Sequence, residues 1–352
     1  MIKYLGSKRR LVPVLAGLAA RSGASNALDL FTGTTRVAQA FKACGLRVTA
    51  VDSARYSEAF AQTYVQADGD RIDRTALVAA IEDLRSLPGR AGYFTETFCV
   101  ASRFFQPFNG ERVDAIREAI AQRHAGTWLE PLLLTSLVEA ADRVDSTTGV
   151  QMAYVKRWAP RSYKPLDLRV PELLPGAGRA VRGDALDLAP TLGPFDLAYL
   201  DPPYNQHRYF TNYHVWETLV AWDAPAHYGV ACKRVDARDP ATKSVFNTKR
   251  GMPAALRAVV GAVDCGLLVL SYNDESWVGL AELEDMCRAR GEVMTLGFES
   301  ARYVGARIGI HDPSGRKVGT VSHLTNREYL VVAGPRHRVL RATAPLRLQC
   351  VP

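Results

Sequence analysis

The chain has 352 residues, 47% hydrophobic and 23% charged, which suits a globular protein with a sizeable core and excludes a disordered one. The net charge of +8 fits a polyanionic partner as well as simple solubility. The six cysteines (Cys44, Cys99, Cys232, Cys265, Cys287 and Cys350) form no Cys-x-x-Cys pair and no zinc spacing, so reduced thiols, a cytoplasmic setting and no metal centre are expected. The first ten residues lack the apolar run of a signal peptide. No segment is apolar enough over a sufficient length to cross a membrane, and Gly266 to Tyr272 fits a buried strand instead.

In chain order, Ala27 to Phe31 reads as a buried strand, Thr32 to Thr35 as a turn, and Arg36 to Cys44 as a helix with Val37, Ala40, Phe41 and Cys44 on one face. Gly45 stands where a C-cap belongs. Arg47 to Val51 is a second strand ending at Asp52, followed by a helix over Ser53 to Val65. Helices are predicted over 74–85, 92–105, 111–124 and 128–144. From Ser146 to Gly183 the pattern is irregular, with Tyr154, Lys156, Arg157, Trp158, Arg161, Tyr163, Lys164, Arg169, Arg179 and Arg182 interleaving base and ring. Strands resume at Phe195 to Leu200 and Gly266 to Ser271, with a helix over Ser276 to Arg290. The tail reads as antiparallel strands at Val293–Phe298 and Glu328–Val332, around a middle section rich in Gly and Pro. The order describes an open α/β sheet with an antiparallel edge. It divides into a catalytic domain, 1–68 with 181–352, and a helical and basic insert, 69–180.

The turn after the first strand places Gly33 where a backbone can approach a ligand, and Asp52 ends the next strand 19 positions on. A carboxylate there accepts both hydroxyls of a ribose, or else caps the following helix. The three-glycine dinucleotide fingerprint and the P-loop are both absent, which favours a nucleoside cofactor with little phosphate.

Asp201-Pro202-Pro203-Tyr204 follows a buried strand. Two prolines end the strand, carry no N–H and leave carbonyls free to accept. An Asp and a free carbonyl can grip an amino group, while the tyrosine ring stacks on a base. An exocyclic amine held this way turns its lone pair toward an electrophilic methyl, and the proton leaves afterwards. Positioning and electrostatics carry the step, without a covalent nucleophile or metal.

With these residues, the chain resembles the D12 class of N6-adenine DNA methyltransferases, the group containing the Dam methylases. Tyr4-Leu5-Gly6-Ser7-Lys8 is similar to its N-terminal cofactor motif, Asp29 to Gly33 to its first sheet motif, Asp52 to its ribose-binding acid, and Asp201 to Tyr204 to its catalytic motif. Arg182 to Ala185 is similar to the segment whose acid, here Asp184, contacts the cofactor's adenine. The resemblance implies a Rossmann-like S-adenosylmethionine-dependent methyltransferase sheet with a mainly helical target-recognition insert. It implies that Tyr4, Lys8, Phe31, Gly33, Asp52, Asp184 and Asp201 bind S-adenosyl-L-methionine, and that Asp201, Pro202, Pro203 and Tyr204 are catalytic. The implied substrate is an adenine flipped out of double-stranded DNA at a specific site, with no metal and no membrane involved. The expected enzyme is a monomer, either paired with a cognate restriction endonuclease or acting as an orphan methylase.

Two features depart from the family. Thr35 stands where a second glycine is usual, and a β-branched residue resists unusual backbone angles, although it can instead cap the helix that follows. The section 205–257 is long and basic. Its His207, Arg208, Tyr209, Lys233, Arg234, Lys243, Lys249 and Arg250 can grip phosphates or form a solvated loop; Tyr209 and Phe210 can line the base pocket or belong to the core. Three alternatives stay open: RNA adenine as substrate, the N4 amino group of cytosine, and a non-catalytic DNA-binding protein on a decayed fold.

Overall fold

The computed structural model describes residues 1–152, 154–155, 157–301, 310–311, 317–319, 325–344 and 346. The Gly- and Pro-containing section before the last strand lies largely outside the described residues, as do Lys156 and Cys350. The chain is a mixed α/β protein whose residues group into two compact units.

One unit comprises Met1–Arg9, Thr32–Gly183 and Arg208–Ser244. Its strand Arg47–Asp52 runs parallel to Arg179–Arg182, with Ala50 opposite Ala180 and Asp52 opposite Arg182. The second of these strands falls inside the stretch expected to be irregular. Two apolar residues flanked by two arginines are too short a run to read as a strand, and a short edge strand needs no longer one. The Arg36–Ala43 helix ends as expected, with Gly45 left-handed at φ +86°.

The helix expected over 53–65 is α-helical only over Arg55–Ala61 and continues as a π-turn over Gln62–Gln66. At its end the buried Lys42 ammonium donates to the carbonyls of Val65 (2.9 Å) and Ala67 (2.6 Å). Carbonyls left over at a helix end need donors, and Lys42 supplies them from the neighbouring helix.

The helices Arg74–Ser86, Pro107–His124 and Leu129–Val144 match their predicted positions. The region 92–105 instead makes one short turn, Tyr93–Thr95, and a second π-turn, Glu96–Ala101. Asp114 reaches across from the Pro107–His124 helix to accept the N–H groups of Gly92, Phe94 and Thr95 at 2.8–2.9 Å. Around these elements packs a core that includes Phe94, Phe98, Phe104, Phe105, Ile116, Leu137 and Trp216.

The section after the Asp201–Tyr204 loop is therefore more than a loop. It holds the helices Tyr209–Asn212 and His214–Ala221, whose Tyr213, Val215, Trp216 and Leu219 are buried.

The other unit comprises Arg10–Phe31, Asp184–His207 and Val245–Pro352. Its strands lie in the order Asn26–Asp29, Phe195–Leu200, Cys265–Asn273, Thr325–Gly334, Glu292–Ala301. The first three are parallel, with Leu28 opposite Ala198 and Ala198 opposite Leu268. The last two are antiparallel, with Leu330 opposite both Ser271 and Leu296. This is the expected antiparallel edge. The runs Leu197–Leu200 and Leu267–Leu270 are wholly buried, as strands covered on both faces must be. The helices Met252–Ala262, Leu280–Arg288 and Arg336–Thr343 belong to this unit, and the last packs on the Val12–Ser22 helix, where Arg21 Nε donates to Ala342 O at 2.9 Å.

Among the described residues no helix is long and apolar enough to cross a membrane.

Candidate active site

In the first unit, the turn Thr32–Thr35 is held at both ends. The Thr32 N–H donates to Val51 O at 2.9 Å, and the Gly33 N–H donates to Asp52 Oδ2 at 2.9 Å. The Ser57 hydroxyl donates to the Gly33 carbonyl. Gly33 sits at φ +50°, and a Cβ there would lie 3.0 Å from Tyr4 Cε1. Only glycine satisfies both the left-handed backbone and the ring above it.

Thr35 also sits in the left-handed region, at φ +61° and ψ 13°. It starts the Arg36–Ala43 helix without giving a side-chain cap. Its hydroxyl donates to Thr34 O at 2.7 Å and accepts from Gln39 Nε2 at 2.8 Å. The capping role is thus not taken up; the chain keeps the glycine-like backbone and carries the strain, which these two bonds offset.

Asp52 accepts hydrogen bonds from both the turn and the start of the next helix. Its Oδ2 holds the glycine turn, and its Oδ1 accepts the Ala54 N–H at 3.0 Å, just ahead of the Arg55–Ala61 helix. Burial pushes its carboxyl up, opposed by the N–H groups of Ala54 and Gly33. Ser57 and the Ser53 N–H also donate to it, so its acceptor positions are engaged by the turn and the helix start.

Tyr4 lies over this turn, stacked on Tyr213 (centroids 4.6 Å, 17°) and on Tyr209 (5.3 Å, 28°), with Tyr56 edge-on at 6.5 Å. Burial, then the neighbouring Tyr56, raises its phenol. The preceding residue anchors it: Lys3 Nζ pairs with Asp142 Oδ2 at 2.9 Å. Lys8 is only 6% exposed, so it is not part of a solvated charge run, whereas Arg9 and Arg10 are exposed.

In the second unit, Asp201 ends the buried Phe195–Leu200 strand, at the carboxyl edge where open α/β sheets bind ligands. Pro202 is buried and Tyr204 half-buried. The Tyr204 ring meets Tyr272 edge-on at 5.8 Å. Burial, then the Asp201 charge, raises the Tyr199 phenol.

Asn247, which sequence reasoning did not single out, clamps the chain beyond Tyr204. Its Nδ2 donates to the carbonyls of Asn205 (2.9 Å) and His207 (3.0 Å). An asparagine in a basic stretch carries no motif signal, and only its contacts reveal it. Phe31 stands at the end of the Asn26–Asp29 strand with its ring edge-on to Phe246 at 5.2 Å. Asp184 is exposed and caps a single helical turn by accepting the Leu186 N–H at 2.8 Å. Tyr4, Lys8, Gly33 and Asp52 thus fall in one unit, and Phe31, Asp184 and Asp201 to Tyr204 in the other.

Several basic residues considered for DNA are engaged internally. Arg234 is 5% exposed, held by Asp223 (2.6 Å) and Asp236 (2.7 Å), with Phe210 beneath its guanidinium at 5.7 Å. Arg161 pairs with the buried Asp145 at 2.7 Å, and Arg182 with Glu58 at 2.9 Å. No His, Cys, Asp and Glu cluster suited to a metal ion occurs among the described residues.

Known proteins match the chain along most of its length. It is 26% identical over 317 residues to the type II methyltransferase M.NlaIII of Neisseria lactamica, covering 86% of this chain and 92% of that one. It is 26% identical to the modification methylase StsI of Streptococcus sanguinis, over 82% of this chain and 46% of the relative. It is 24% identical to the type II methyltransferase M.FokI of Planomicrobium okeanokoites, over 98% of this chain and 60% of the relative. The family pattern spans residues 4–286, taking in Tyr4, Gly33, Asp52 and the Asp201–Tyr204 loop, and the chain belongs to the D12 class N6 adenine-specific DNA methyltransferases.

Proposed function

We propose that the chain takes its methyl group from S-adenosyl-L-methionine and places it on adenine N6 at one specific site in double-stranded DNA, as a site-specific adenine DNA methyltransferase. In this reading Tyr4, Lys8, Phe31, Gly33, Asp52 and Asp184 hold the cofactor, with Asp201 at its reactive end. The observation that carries it is the Gly33 turn, where the Gly33 N–H donates to Asp52 at 2.9 Å and the Tyr4 ring packs against the bare Cα, which brings the three residues together. In this reading a nucleoside lies beside this cluster, with its ribose at Asp52.

The sulfonium of S-adenosyl-L-methionine supplies an electrophilic methyl. Asp201 accepts one N6–H of the adenine, and the Pro202 carbonyl, freed by its neighbouring prolyl ring, accepts the other. Tyr204 stacks on the base, which must first leave the duplex. The N6 lone pair forms the new N–C bond as the S–C bond breaks, and one N6 proton then leaves to Asp201 or water. Fixed acceptors supply the rate enhancement, and no strong base takes part.

The helical and basic block 69–180 is assigned to DNA recognition. Exposed aromatic side chains support this: Phe108 is 44% and Tyr163 62% exposed. Arg103 lies over the Trp158 ring at 4.7 Å, and the exposed Lys164 follows Tyr163. Such residues suit phosphate contact and base stacking. The type II and modification methylases among the similar proteins support a modification role, for which a monomer working beside a cognate restriction endonuclease is proposed.

Tritiated methyl transfer from S-adenosyl-L-methionine to unmethylated DNA tests the reaction, and sequencing of modified bases in an expressing host gives the site. No incorporation into any DNA, with tight DNA binding retained, would overturn the assignment.

A further inference from the structure

The helices beyond the catalytic loop do more than fill the core. Tyr213 is fully buried, and its hydroxyl accepts the Leu5 N–H at 2.7 Å. Its ring is the closest stacking partner of Tyr4. One turn on, Glu217 is 4% exposed, and its Oε2 accepts the Arg55 N–H at 3.0 Å.

That N–H opens the helix that follows Asp52. Two successive N–H groups at this helix start are therefore divided between two acids: Ala54 goes to Asp52 and Arg55 to Glu217. Arg55 is thus satisfied from elsewhere, and Asp52 is held between the Gly33 turn and the helix start.

Simple stability does not explain Glu217. Its ion partner is the Arg55 side chain at 3.5 Å, itself half exposed. A buried carboxylate paired so weakly contributes less than an apolar residue of the same size would.

We propose that Tyr213 and Glu217 are positioning residues for the cofactor, Tyr213 fixing the ring of Tyr4 and Glu217 fixing the helix start beside Asp52. This rests on the reading that Tyr4 and Asp52 bind S-adenosyl-L-methionine. Cofactor binding is then set by the segment that immediately follows the catalytic loop.

The test compares the full chain with Glu217→Ala, Glu217→Gln and Tyr213→Phe. Cofactor affinity is measured by calorimetry, with kcat and KM taken on unmethylated DNA. Glu217→Ala is expected to raise Kd and KM for S-adenosyl-L-methionine about tenfold, the effect of one buried hydrogen bond, with kcat at saturation within about threefold. Glu217→Gln keeps an acceptor for Arg55 and is expected to restore affinity to within about threefold of wild type. Tyr213→Phe keeps the ring, loses the Leu5 bond and is expected to weaken binding about fivefold.

Unchanged cofactor affinity in Glu217→Ala and Tyr213→Phe overturns the proposal, as does a loss confined to kcat or one that Gln does not rescue. If Glu217→Ala fails to fold, Tyr213→Phe and Glu217→Gln decide alone. A wild-type chain with no affinity for S-adenosyl-L-methionine overturns the functional reading itself. Wild-type binding with indifferent variants overturns only this step.

Discussion

The Gly33 amide donates to Asp52 Oδ2 while the Tyr4 ring closes over the same residue, within 3.0 Å of where a Cβ would stand. One glycine thus meets the acid at the end of one strand and the aromatic of the N-terminal motif. Gly33→Ala brings both a left-handed alanine, costing about 1 kcal/mol, and a collision with Tyr4. It is expected to weaken S-adenosyl-L-methionine binding at least about tenfold by calorimetry, with DNA affinity unchanged. Asp52→Ala is expected to weaken the same binding with kcat at saturation little altered.

Thr35 offers a test in the opposite direction. Thr35→Gly relieves a left-handed β-branched residue, worth about 1 kcal/mol, and loses the hydroxyl's bonds to Gln39 and Thr34, together worth about as much. The two nearly cancel, so its unfolding free energy is expected to stay within about 1 kcal/mol of wild type. Thr35→Val keeps the strain and loses the hydroxyl, and should fall clearly below both in a urea titration.

In the proposed mechanism, Asp201→Ala removes an acceptor for the amino group. It is expected to abolish methyl transfer while leaving the circular dichroism spectrum and the melting temperature close to wild type. Near-normal turnover in that variant would sink the mechanism.

Asn247→Ala acts one step away, by releasing the carbonyls of Asn205 and His207. A looser loop misplaces Tyr204 and Asp201, so kcat should fall about tenfold. Cofactor affinity measured without DNA should stay near wild type, and a fall in affinity equal to the fall in kcat would refute the positioning role.

Much of this architecture was legible in the sequence because the signals are local. Leu197–Leu200 and Leu267–Leu270 are runs that only doubly covered strands require, and Gly45 marks a helix end because glycine takes the left-handed backbone freely. Local rules could not find the π-turns at Gln62–Gln66 and Glu96–Ala101. The first exists beside Lys42, a residue 20 positions earlier, and the second follows N–H groups held by Asp114 about 20 positions later. The section after residue 204 misled for a related reason. Its basic composition suggested phosphate contact, yet Arg234 is buried between two aspartates and Trp216 sits in the core. Charge counts do not distinguish a guanidinium facing solvent from one already paired. Glu217 carried no signal either, since an acid on a short helix is ordinary until its partner 162 positions away is known.

Glu217 also fixes the sign of a pH dependence. Burial pushes its carboxyl up to about 7, opposed first by the Arg55 N–H and then by the charges of Arg234 and Arg55. In the unfolded chain the same group titrates near the ordinary glutamate value, about 4.3. Between these values the folded chain holds a proton that the unfolded chain has released. Its contribution to stability is therefore greatest below about pH 4.3 and is lost as pH rises toward 7, with no further change above. Glutamine keeps the acceptor for Arg55 and carries no charge to desolvate. The melting temperature of Glu217→Gln is expected to exceed wild type at pH 8 and to approach it at pH 5. Differential scanning calorimetry at the two pH values measures this, and a variant less stable at pH 8 than wild type would show that the buried charge is stabilising after all.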